Sequence, residues 1–183
     1  MSLIEVVVFI VVLGIGIAGV LTLYTRLTIA SVDPLVRKQA LAVATSLMEE
    51  IQLKGFTYCD PDDPKVYTAT STADCTATFA EVIGPNEPTA NAETRYGPTR
   101  FDNVNDYHGF AMAGASIHDV TDTAISGLGA YAVSVAVANI SAGELPDVAL
   151  PADALRITVT VTGPAGVSVS LQGYRLRYAP NTP

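Results

Sequence analysis

Glu5 stands at the mouth of a run, residues 6–25, of twenty residues without a charge. An ionised carboxylate in apolar surroundings is costly unless a proton, a cation or water meets it. Two roles fit such a group. It can complement the dipole at the start of a helix, or it can pair with a positive group brought by another molecule. The residues themselves leave both open.

Two further sets of side chains could do chemistry. Cys59 and Cys75 lie sixteen positions apart in a stretch rich in Gly, Pro, Thr and Asp, with no His near enough to complete a metal site. A disulfide closing a small loop in an oxidising compartment is preferred over two free thiols. Asp102, Asn103, Asn105 and Asp106 crowd oxygen into five positions, as a calcium loop or an Asx-turn network would. The helix-loop-helix calcium pattern is not met, because no Glu sits at the required distance and the Gly is misplaced. The favoured expectation is therefore no cofactor, with calcium the weaker alternative. His108 and His118 read as surface or core-edge residues. With no nucleophile motif, phosphate-cradling Gly loop or metal-ligand spacing, an enzyme is not expected.

The elements that must position these groups begin with the uncharged run. As a helix it would span about 30 Å, enough to cross a bilayer. It lacks the basic flank and small-residue cleavage site of a signal peptide and is expected to stay in the chain. Asp33-Pro34 reads as a kink or a helix restart. Beyond it Leu41, Ala44, Met48 and Ile51, with Ala40, Val43 and Leu47 alongside, recur at helical spacing and form a face to pack on a sheet. Gly55 is the stop, so the helix runs from near Ser2 to near Lys54.

The remainder reads as a β-rich head. Short β-like pieces are expected at residues 66–70 and 78–83. Tyr131, Val133, Val135 and Val137 alternate with small residues, as do Leu155, Ile157, Val159 and Val161 with polar ones, which argues a half-buried antiparallel sheet. Residues 162–166 make a hairpin to a last strand. There the apolar parity switches at Gln172-Gly173, predicting a bulge that turns Tyr174, Leu176 and Tyr178 inward and Arg175 and Arg177 outward. The fold class is α+β, a long N-terminal helix packed on an antiparallel sheet. It divides into an apolar stem (1–30), an amphipathic second half of the helix (31–55) and a globular head (56–183).

The net charge of −8 is unevenly placed. Four acidic and four basic residues cancel through residue 54, and the other 14 acidic and 6 basic residues follow. Such a head repels nucleic acid, which is excluded as a partner.

Met1-Ser2-Leu3-Ile4-Glu5 followed by the apolar run resembles the mature start of type IV pilins and type II secretion pseudopilins. Phe101 to Phe110 and the terminal Gly173 to Tyr178 are similar to the D-type pilins of the mannose-sensitive haemagglutinin system. The resemblance implies a processed, N-methylated Met1 whose amine meets Glu5 of a neighbouring copy as stems leave the inner membrane for a helical filament of identical subunits. It implies a prepilin peptidase and a pilus assembly machinery as partners, and an extracellular filament for adhesion, motility or biofilm. The alternative within the same superfamily is a minor pilin or pseudopilin that primes a short fibre. Where many pilins have Pro near position 22, this chain has Thr22; Gly14, Gly16 and Gly19 could supply the same weakness or let neighbouring helices approach.

Overall fold

The computed structural model describes residues 2–85, 92–113 and 117–183, and along 25–33 it describes the helical backbone without side chains. One helix, α1 (Leu3–Gln52), takes up the first part of the chain. It runs through Pro34 without a break, so the expected restart is absent. Proline removes one backbone donor there, but good helix formers on the C-terminal side carry the helix on. Over Leu3–Tyr24 none of the span is buried, and by length and composition it is sufficient to cross a membrane.

The second half of α1 seats on the sheet through Val36, Ala40, Ala44, Leu47, Met48 and Ile51, all buried. Leu41, expected on that face, is 44% exposed. Leu41 is off the Ala40–Ala44–Leu47 line by about 100° of helical rotation, which turns it to the outer side.

Four strands form a simple antiparallel meander in the order β1 (Ala111–Met112), β2 (Ala132–Asn139), β3 (Ala154–Thr162) and β4 (Ser168–Leu176). The alternation read in β2 and β3 is borne out. Val133, Val135 and Val137 pair with Val161, Val159 and Ile157 in a buried layer under the helix. A short turn at Pro164–Gly166 joins β3 to β4, with Ala165 at φ 57°.

Strand β4 corrects the expectation. Its register with β3 is unbroken from Thr162↔Ser168 to Ala154↔Leu176, so there is no bulge at Gln172-Gly173. Gly173 faces α1, where a Cβ would come within 3.0 Å of the Met48 Sδ and 2.7 Å of the Gln52 Nε2. Arg175 and Arg177 point the same way, and Tyr174, Leu176 and Tyr178 are exposed at 40%, 45% and 76%. Gly163 lies beside Val36 and Arg175 beside Lys54, so β4 and α1 advance in the same direction.

The expected strands at 66–70 and 78–83 are not formed. Residues 66–68 lie in a turn, and the second piece contributes a single bridge, Cys59↔Ala80. Val66 and Ala69 instead pack with the Cys59–Cys75 disulfide in a small second core.

Candidate functional site

At the stem tip, Glu5 lies in the first turn of α1, three residues after the N-cap Ser2. Its Oε2 accepts the Ser2 backbone N–H at 3.3 Å, and the Glu5 N–H donates to the Ser2 carbonyl at 3.0 Å. The carboxylate thereby satisfies one of the donors that a helix start leaves without an intrahelical acceptor. Met1, the residue expected to pair with it across copies, lies outside the described residues. Along the stem Thr22 bonds back to the Ala18 carbonyl at 2.8 Å, and among the described residues nothing beyond the adjacent residues and the surrounding helical backbone comes within 4 Å of a Cβ placed on Gly14, Gly16 or Gly19.

At the other end of α1 the two terminal arginines do a different task from the solvated one expected. The Arg175 guanidinium donates to the Lys54 carbonyl at 2.8 Å, and Arg177 donates to the Thr57 carbonyl at 2.6 Å. Cations near a helix C-terminus offset its partial negative charge and its orphan carbonyls. Arg177 is also held between aromatic faces, its guanidinium carbon 3.8 Å from the Phe56 ring centroid and 4.5 Å from that of Tyr58. These contacts explain why β4 keeps its register and leaves its aromatic residues outside.

A third node ties α1 to the loop before β1. Glu50 receives Arg95 through Nε at 2.8 Å and through NH2 at 2.7 Å, and the Tyr107 hydroxyl at 2.9 Å. Burial alone would raise the Glu50 pKa, but the bonds and charge of Arg95, helped by Tyr107, outweigh it and hold the carboxyl below its ordinary range. Burial and then the Glu50 charge push the Tyr107 phenol up. The remaining Arg95 NH1 donates to the His118 carbonyl at 3.0 Å and to the Tyr96 hydroxyl at 2.6 Å. Nothing in the spacing of residues 50, 95 and 107 announced this node.

The oxygen-rich stretch divides. Asp102 and Asp106 come together with Glu93, which sequence reading missed, their carboxylate oxygens within 4.8 Å of one another. Asp106 Oδ2 also accepts the Asn103 N–H at 2.7 Å. These three hard oxygen donors could hold a divalent cation. Asn103 and Asn105 turn elsewhere, Asn103 donating to the Thr57 hydroxyl at 2.7 Å and Asn105 to Glu81 and the Val82 carbonyl. Of the histidines, His108 accepts the Val137 N–H through Nδ1 at 3.2 Å, and His118 faces Asp122 at 2.8 Å.

Cys59 and Cys75 are joined, their Cα atoms 5.5 Å apart. Asp63, fully buried within the loop, receives the Lys65 N–H at 3.0 Å and the Thr76 N–H and hydroxyl at 2.7 and 3.1 Å. Burial would raise its pKa, yet these donors lower it overall. Asn181 closes the loop from the chain's end, donating to the Val66 and Ala69 carbonyls at 2.8 Å each. The arrangement is a braced head on the second half of α1, whose first half is an exposed apolar stem. No protein-family model matches this chain, and no curated protein or solved structure matches it either.

Proposed function

We propose that the chain is the structural subunit of an extracellular type IV pilus-like filament, held in the inner membrane before assembly. One observation carries the reading: α1 is continuous, and none of its first 22 residues, Leu3–Tyr24, is buried within the chain. Water will not tolerate that surface, so a bilayer or other copies must cover it. Its other half is tied to the head by the sheet and by Arg175. A bundle of such stems covers what no single copy can, and the heads form the outer wall.

Glu5 supplies the register. In the single subunit it caps its own helix through Ser2. In the filament it exchanges that bond for the amine of a neighbouring copy, and a mis-stacked copy strands both charges. Glu5→Val is expected to leave the protein in the membrane fraction while abolishing sheared surface filaments. Abundant normal filaments from that variant would contradict the reading. Mass spectrometry of the sheared material from the parent chain shows whether this subunit dominates it.

A further inference from the structure

The sheet ends on β4, and among the described residues that edge is open. Natural sheets guard an edge strand by making it short or by placing charge, proline or a bulge on it. The opposite edge, β1, is two residues long. Strand β4 has nine residues in unbroken register, and residues 167–174 contain neither charge nor proline. Its hydrogen bonds fix which groups face outward. At one end of the hairpin the Gly163 N–H donates to the Val167 carbonyl at 2.8 Å, and at the other the Arg177 N–H donates to the Asp153 carbonyl at 2.9 Å. Opposed pairs in an antiparallel ladder bond at every second residue. Val169, Leu171, Gly173 and Arg175 therefore bond β3, while Ser168, Ser170, Gln172 and Tyr174 turn their backbone N–H and C=O groups to the open edge. Among the described residues no hydrogen bond meets those outward groups.

An apolar side chain lies beside this edge. Leu41, 44% exposed, precedes Met48 by seven residues and Gln52 by eleven, which puts it within about 20° of both around α1. Met48 and Gln52 are the residues that approach Gly173, so Leu41 belongs to the flank of α1 that runs along β4.

We propose that the β4 edge receives an extended, uncharged segment of another protein, which adds a fifth strand to the sheet. The backbone of that segment completes the bonds of Ser168, Ser170, Gln172 and Tyr174. On the helix side it carries apolar side chains that cover Leu41, and on the other side hydroxyl-bearing ones that continue the row of Ser168, Ser170 and Gln172. The β4 of a second copy does not meet these demands. Because β4 and α1 advance together, antiparallel pairing of two copies sends their stems in opposite directions, which one membrane does not permit. Parallel pairing turns the second sheet over, so its serine and glutamine row, not its valines, would face Leu41. Only the exclusion of the antiparallel pair rests on the membrane-held stem proposed above.

The probe is a capped heptapeptide alternating threonine and valine, added to the detergent-solubilised full chain while backbone hydrogen exchange is followed. With peptide present, the N–H groups of Ser168, Ser170, Gln172 and Tyr174 should exchange at least about tenfold more slowly, and those of Val169 and Leu171 at their former rate. Unchanged exchange at the edge overturns the proposal, as does equal protection by a peptide alternating threonine and glutamate. Ser170→Pro deletes an N–H that serves no bond to β3, so it should abolish the protection while thermal unfolding stays near the parent's. Leu41→Gln, at an exposed position of α1, keeps the proposal open to refutation should the proline chain unfold. It should raise the peptide concentration needed for half protection about threefold to tenfold, and an unmoved value overturns the apolar match. Protection that appears without peptide as the chain is concentrated makes the occupant a second copy, and the proposal fails. None of these readings depends on whether filaments form.

Discussion

Arg95 illustrates what a single side chain decides in this head. It answers Glu50 in two-point geometry at 2.7–2.8 Å, with side-chain exposures of 6% and 17%. Removing one member of a buried pair leaves the other charge stranded, so Arg95→Met is expected to cost about 3 kcal/mol. Urea unfolding of the detergent-solubilised chain measures it, and an unmoved midpoint would refute the role. The pH dependence has a definite sign. Because the folded pKa of Glu50 lies below its ordinary 4.5, its contribution is present above that value and is lost as pH falls through the lower folded one. Stability should therefore drop on acidification below about pH 4.5, and Glu50→Gln should flatten part of that slope. None of this was legible in the sequence, since partners 45 and 57 positions apart leave no local pattern. Asp102 and Asp106 were legible as neighbours, whereas Glu93 comes to them only through the fold.

Strand β4 shows where pattern reading succeeds and where it fails at the scale of an element. Alternation identified β2 and β3 because their inward residues are aliphatic and their partners polar or small. The same rule misjudged β4, since it counts an arginine as solvent-facing and an aromatic as buried. Here the long guanidinium side chains reach over the sheet edge to the end of α1, which reverses the assignment. The disulfide loop was mistaken for strands for a related reason: Val66 and Ala69 are apolar to cover the disulfide, not to line a sheet. The packing of β3, α1 and β2 meets at Gly163, where a Cβ would lie 2.7 Å from the Tyr131 ring and 3.1 Å from Val36. Neither neighbour is a flexible chain end, and Tyr131 is further held by its 2.6 Å bond to Gln39. Gly163→Ala should accordingly destabilise the head by about 1–3 kcal/mol. Thermal unfolding checks it, and a melting temperature equal to the parent's would show that the helix can shift to make room.

The whole molecule sets an attractive stem against repulsive heads. With 14 acidic and 6 basic residues after position 54, identical heads placed side by side repel, so stem burial must supply the net attraction of any polymer. The apolar helix and the acidic head were legible in the sequence, a disulfide was its preferred reading of the two cysteines, and the α+β architecture followed from helical spacing and strand alternation. One loop of the head is tied at both ends by Cys59–Cys75, with the exposed Lys65 between them. A protease that cuts after Lys65 severs the chain without separating it: digested protein should migrate as one band on a non-reducing gel and as two once thiol is added. A peptide bond lost at the surface of this head need not release the part that carries the sheet.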